Sequence, residues 1–341
     1  MARTSTLTYK AVQVSAAGEL ELTERPMTDP AESHVRIRVE ACGVCHTDAA
    51  SVHPHPATEP GIVPGHEVVG TIDAVGGGVR RWKAGDRVGV GFLAGHCGYC
   101  AACRHGDFIR CENQPCTGLQ VDGGYAEYMI ARESGLVSVP AGLSSAAAAP
   151  LLCAGLTVRN ALLHGGVTPG GTVGILGIGG LGHLALQYAD KMGLNTVAIA
   201  RGHEKEKVAR RLGADHYIDS RDAVSAAAAL QEIGGADLIV ATISSGASSS
   251  ALIGGLATNG KLVVVGASDE PVTVSTGDLI GRGVQVLGSL TGTPAENEEN
   301  LAFAEREGVH ALVEEEPLEN AAAAFTRMLD GQARFRMVLR P

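Results

Sequence analysis

Half of the chain's eight cysteines sit in one stretch, GHCGYCAACRHGDFIRC, as Cys97, Cys100, Cys103 and Cys111 in the form C-x2-C-x2-C-x7-C. Thiolates at such short, regular spacing suit a closed tetrahedral zinc site, although iron–sulfur clusters use comparable spacings. Four thiolates leave zinc no open position for a substrate, so a zinc held here is expected to be structural. A second set of ligating side chains is scattered: Cys45 in ACGVCHTD, His66 and Glu67 in VPGHEVVG, and Cys153 in PLLCAG. Each alone reads as a small core residue or an ordinary histidine. Only their occurrence together, beside the cysteine loop, points to a metal.

A third constellation suits a phosphate. GILGIGGLG sets Gly177, Gly179 and Gly182 as G-x-G-x-x-G, with Gly180 and Leu181 inside the turn. Glycines at these places permit a tight turn and close approach of the backbone to a pyrophosphate at a helix N-terminus. NAD-binding versions end the following strand in an acid that accepts from the ribose hydroxyls. Here that strand ends Ala198-Ile199-Ala200-Arg201. Arg201 and the nearby Lys205 suit a 2′-phosphate, so NADP(H) is favoured. A solvated Arg201 with NAD(H) as cofactor is the alternative.

The elements that must position these residues fall into two textures. From about residue 8 to 150, short apolar runs such as VRIRVEACGVC, HEVVGTIDAVG and DRVGVGFL are cut by Gly, Pro and Asp, the pattern of a strand-rich domain. Residues 144–163 read as helical, with Pro150 as an interruption. From about Gly171, strands (GTVGILG, NTVAIA, HYID, ADLIVAT, KLVVVGA, VQVLGSL) alternate with helical segments, which implies a parallel sheet with right-handed crossovers. The fingerprint thus follows a strand and opens a helix, as dinucleotide binding requires.

Composition narrows the function further. The 27 basic and 37 acidic residues give a net charge of -10, which disfavours nucleic acid or an anionic membrane as partner. The N-terminal MARTSTLTYKAVQV has no signal-peptide run and no segment is long enough to span a bilayer, so a cytoplasmic protein is expected. In that reducing compartment clustered cysteines favour metal over disulfides.

With these markers in order (GVCHTD, GHE, the four-cysteine loop, DGGYAEY, PLLCAGLT, GIGGLG), the chain resembles the zinc-dependent medium-chain alcohol dehydrogenases over nearly its whole length. The bacterial alcohol dehydrogenase and cinnamyl-alcohol-dehydrogenase-like branches fit best; the sorbitol dehydrogenase branch usually has Glu where this chain has Cys153. The resemblance implies an α/β plus β-rich fold. A GroES-like zinc-binding catalytic domain would span 1–154 and 292–341, and a Rossmann cofactor domain 155–291.

It further implies two zincs per chain. Cys45, His66 and Cys153 would hold the catalytic one, with Glu67 a transient ligand and Asp48 fixing the His66 tautomer. Thr47 would contact the substrate oxygen and Phe92 would line the alcohol pocket. His46 and Arg336 would meet the cofactor pyrophosphate, and Thr157 the nicotinamide. Hydride would pass between an alcohol or carbonyl and the cofactor, in a dimer or, as in many bacterial members of this length, a homotetramer. A zinc-free reductase of the same superfamily, or a non-enzymatic nucleotide-binding relative, is the alternative. One departure stands out: many relatives read CHTDLH, with a proton-relaying histidine, where this chain has Ala50. His53, His55 or water would then carry the proton, although VHPHP reads equally as a stiff loop. Cys42 and Cys116 have no assigned role beyond filling space as small side chains.

Overall fold

The computed structural model describes residues 7–53 and 60–341, so His55 lies outside the described residues. The chain divides into two compact units, one comprising 1–153 and 292–341 and the other 154–291.

Among the described residues, seven strands of the first unit come before the second: β1 (Thr8–Val14), β2 (Leu20–Pro26), β3 (His34–Gly43), β4 (Val68–Val75), β5 (Arg87–Val90), β6 (Tyr128–Arg132) and β7 (Leu136–Ser138). The second unit holds β8 (Thr172–Leu176), β9 (Asn195–Ala200), β10 (His216–Asp219), β11 (Ala236–Ala241), β12 (Leu256–Val264) and β13 (Gln285–Gly288). The chain then returns to the first unit with β14 (Val313–Pro317) and β15 (Arg336–Arg340).

β1 and β2 form an antiparallel pair of their own. The larger sheet of the first unit runs β14-β15-β3-β4-β5-β7, with β6 also on β3. β3 alternates inward residues such as Val35, Ile37 and Val39 with outward Arg36 and Arg38, the period of a half-buried strand. Its length lets it serve three neighbours: β6 along His34–Arg38, β4 along Val35–Cys42, and β15 at Cys42–Gly43. Ile37, Ile72, Leu136 and Tyr125 are among the largest fully buried side chains. Burying each aliphatic one contributes roughly 1.5–3 kcal/mol. The last forty residues have mixed texture in sequence, yet β15 from that stretch is an interior strand next to β3.

In the second unit six parallel strands run β10-β9-β8-β11-β12-β13. Val173, Ile175, Val197, Ile199, Ile239 and Val263 are fully buried, which explains the near-continuous apolar runs, since helices cover both faces of such a sheet. Chain order reverses between β8 and β11, the switch point outside whose strand ends ligands bind in open α/β sheets. The fingerprint lies in the turn between β8 and the helix Gly182–Lys191. No single helix among the described residues is long and apolar enough to cross a membrane.

Candidate active site

Just past the end of β3 the chain reaches Cys45 and enters a one-turn helix, His46–Asp48. Asp48 is the third residue of that turn, and its Oδ2 accepts the Cys45 N–H at 2.9 Å. The carboxylate thereby caps an amide that has no partner within the helix. The turn buries Cys45 and Asp48 and leaves His46 and Thr47 exposed. His66 and Glu67 immediately precede β4, and the Gly43 N–H donates to the Glu67 carbonyl at 2.9 Å, which ties the two segments together. Cys153 follows the helical turn Ala149–Leu152. Two buried side chains of the helix Pro294–Glu307 hold that turn from behind: Asn297 Nδ2 donates to the Leu152 carbonyl and Asn300 Nδ2 to the Leu151 carbonyl, each at 2.9 Å.

These separate segments bring one ligand atom each of Cys45, His66, Glu67 and Cys153 within 4.8 Å of one another. His66 Nδ1 faces Asp48 Oδ1 at 2.9 Å, so the ring's other nitrogen is the one left for a ligand. That Nε2 is buried and makes no hydrogen bond among the described residues. Phe92 stands edge-on to the ring, 5.2 Å between centroids. Asp48 also accepts the Tyr125 phenol O–H at 2.9 Å.

The ionisable groups of this pocket perturb one another strongly. The hydrogen bond from Cys153 pulls the Cys45 thiol well below its ordinary range, against burial and with help from His66. The same bond, with burial, holds Cys153 well above it. Burial opposes a charged His66, but Asp48 and Cys45 outweigh it and raise the ring's pKa. Burial likewise pushes Glu67 up to about 7, opposed by the Arg336 guanidinium. Thiols, an imidazole nitrogen without a partner and a nearby carboxylate are the donor set of a borderline-soft divalent ion with one position open, so the residues present fit zinc. Such an ion displaces the protons that these groups otherwise share.

Arg336, the first residue of β15, is 4% exposed, and its Nη2 lies 2.6 Å from both Glu67 carboxylate oxygens. Gly43 makes room for this pair, since a Cβ there would overlap the Glu67 carboxylate.

The four loop cysteines form a second group, again with ligand atoms within 4.8 Å of one another. Backbone amides point at sulfur: Cys100 N–H at Cys97 Sγ (3.4 Å) and Cys97 N–H at Cys111 Sγ (3.3 Å). Such donors, from Tyr99 and Cys100, outweigh burial and lower the Cys97 thiol to about 6, favouring thiolate. No disulfide joins any of the eight cysteines.

In the second unit Gly177 sits at φ +92, where a side chain is strained, and a Cβ at Gly182 would fall on the Gly177 carbonyl. A Cβ at Gly179 would meet nothing within 4 Å, which leaves that stretch of backbone open to a ligand. Arg201 follows β9 and is exposed. Lys205 Nζ donates to the Ile178 carbonyl at 2.8 Å, joining the loop after β9 to the fingerprint. Asp219, at the end of β10, accepts the Gly202 N–H at 2.8 Å and Arg221 Nε at 2.7 Å. Arg221 chiefly holds that carboxyl well below the usual range. Thr157 lies in the helix Ala154–Gly165 and is 8% exposed.

Cys42 is fully buried against Tyr125 and Gly65, whereas Cys116 is half-buried and pairs with Leu93 in an isolated bridge. His53 is exposed and Ala50 carries no titratable group. Sequence reasoning passed over Tyr125, Asn297 and Asn300. Tyr125 stands inside the DGGYAEY marker, and the two asparagines sit three apart on one helix face, but nothing in their spacing names a distant partner.

A strand-rich unit carrying two clustered sets of potential metal ligands, together with a parallel-sheet unit carrying a dinucleotide fingerprint, defines the dehydrogenase class. Residues 31–141 match the family described as alcohol dehydrogenase GroES-like domain, and residues 180–322 match zinc-binding dehydrogenase. The chain is 43% identical to alcohol dehydrogenase patD of Penicillium expansum, covering 99% of each. A solved cinnamyl alcohol dehydrogenase of Sorghum bicolor superposes with TM-score 0.89 at 32% identity, covering 98% of each chain. A CAD from Helicobacter pylori complexed with NADP(H) superposes with TM-score 0.85 at 28% identity, again covering 98% of each. The chain belongs to the alcohol dehydrogenase family within the medium-chain dehydrogenase/reductase superfamily, and it is an enzyme of that class.

Proposed function

We propose that the chain is a zinc-dependent alcohol dehydrogenase, or aldehyde reductase in the reverse direction, that exchanges hydride between a primary or secondary alcohol and NADP(H). The meeting of Cys45, His66 and Cys153, with Glu67 beside them, carries this reading. When bound, zinc supplies Lewis acidity to an alcohol or carbonyl oxygen, and the nicotinamide accepts or donates the hydride. Cys45, His66 and Cys153 hold the ion, their two thiolates partly neutralising it. Glu67 stands in reach as a transient ligand, kept there by Arg336.

Thr47 offers an exposed hydroxyl two residues past Cys45, positioned to hydrogen-bond the substrate oxygen and take its proton. With Ala50 next to that turn, the proton passes onward through water or a histidine of VHPHP such as His53. Phe92 gives the alcohol an apolar wall beside His66. The other four thiolates, at Cys97, Cys100, Cys103 and Cys111, hold the structural zinc. In the second unit, Gly177, Gly179, Gly180, Leu181 and Gly182 cradle the pyrophosphate and Thr157 serves the nicotinamide; His46 and Arg336, which belong to the first unit, are the cationic cofactor residues that the family resemblance implies. Arg201 pairs with the 2′-phosphate, and Lys205 braces the loop that carries it. NADP over NAD is supported by the lack of an acid at the tip of β9, where Ala200 runs straight into Arg201.

Metal analysis and a spectrophotometric screen of alcohols and aldehydes with both cofactors test the proposal. Two zincs per chain with NADP-linked turnover are expected, and a zinc-free active enzyme would sink it. Arg201→Asp should weaken NADP use about 10–100-fold, the loss of one charge-assisted contact, and leave NAD use unharmed. A clear NAD preference in the wild type, or unchanged selectivity in the variant, would overturn the role given to Arg201. We also place the enzyme in the cytoplasm as a homodimer or homotetramer. The edge strand β13, flanked by Ile280 at 86% and Leu290 at 54% exposure, offers an apolar border for a second copy, and a monomer by gel filtration would reject this.

A further inference from the structure

We propose that Tyr125 is a positioning residue for the metal held by Cys45, His66 and Cys153, its phenol locking the carboxylate that orients two of those ligands. The inference rests on the metal-site reading above.

Tyr125 is fully buried, and its O–H donates to Asp48 Oδ2 at 2.9 Å. A carboxylate has no proton to give, so the phenol is the donor. The same Oδ2 accepts the Cys45 N–H at 2.9 Å, while Oδ1 faces His66 Nδ1 at 2.9 Å. One carboxylate therefore meets groups on its own turn and on two distant segments, and two of the three carry metal ligands. With only the Cys45 amide on Oδ2, the carboxylate plane is free to turn away from the His66 ring. The phenol contact closes that freedom.

Tyr125 is itself tied to the segment it helps orient. Its N–H donates to the Pro64 carbonyl at 3.0 Å, and its carbonyl accepts the Val12 N–H at 2.7 Å. Gly65, at φ +96, packs close against the ring, since a Cβ there would overlap it. The residue just before His66 and the phenol ring thus pack as one body. Phe at 125 would keep every one of these contacts except the hydrogen bond.

Chelator-driven zinc release from the full-length protein, followed with 4-(2-pyridylazo)resorcinol, tests the assignment. Two zincs per wild-type chain should leave in separable phases. Tyr125→Phe should hasten one phase by about 10-fold or more, the usual scale for losing a partner behind a ligand. The other phase and the circular dichroism spectrum should stay as in the wild type. In an Asp48→Asn background the same substitution should add nothing further. Equal release from Tyr125→Phe and wild type overturns the proposal. Acceleration of both phases, or a poorly folded variant, also overturns it, because the phenol would then serve general core stability. A wild type holding zinc only at the cysteine loop defeats the metal-site reading, and the positioning role falls with it.

Discussion

Cys97, Cys100, Cys103 and Cys111 reach one another inside one short loop, whereas Cys45, His66 and Cys153 are delivered by the end of β3, the start of β4 and a helical turn braced by a helix from the far end of the chain. The loop group has four like donors, oriented by nearby amides and by the adjacent Asn113 side chain, which donates to Cys97 Sγ at 3.5 Å. The dispersed group mixes donors and leans on neighbours at every point: Asp48 behind His66, Arg336 behind Glu67, and Asn297 and Asn300 behind the Cys153 turn. A site made of near neighbours closes small loops at little entropic cost. A site made of distant segments exists only once the sheet has formed, and so it can leave a position unfilled without collapsing. That difference separates a staple from a place where chemistry happens.

Breaking the two groups separately should give opposite phenotypes. His66→Asn should lower turnover by at least about 10³-fold, since the Lewis acid contributes several kcal/mol to the barrier. The fold and one zinc per chain should survive, as circular dichroism and metal analysis would show. Cys111→Ser should cost stability on the order of several kcal/mol, because metal-binding free energy there is folding free energy. Its thermal midpoint should fall while the folded fraction keeps most of its turnover per active site.

A subtler variant sharpens the contrast. Asn297→Ala leaves the Leu152 carbonyl buried without its partner, at about 1–3 kcal/mol. The disturbance lies beside Cys153, so zinc should leave the dispersed site faster and the loop site at the wild-type rate. Equal rates at both would mean that the turn holds its place without this clamp.

Much of this was legible in the linear chain. The fingerprint announced itself because its glycines answer to local backbone geometry, seen in the positive φ of Gly177 and the absence of room at Gly182. The alternation of strands and helices implied the parallel sheet for the same reason: period and punctuation are short-range signals. The four-cysteine loop was complete in a single glance. By contrast, β15 gave little sign of being an interior strand, since Arg336–Arg340 begins and ends in arginine. Its first arginine is buried only because Glu67 waits for it across the fold. Tyr125 carried a family marker but no visible partner.

By itself, then, the sequence determined what is encoded within a few residues: the turn of the dinucleotide loop, the strand and helix periods, the closed cysteine cluster, and which donor types were available. Only the tertiary structure decided which donors meet. Contacts between Asp48, His66 and Tyr125, between Glu67 and Arg336, and between Asn297 and Leu152 leave no period in the sequence, because a hydrogen bond depends on ångström-scale distance and not on spacing along the chain.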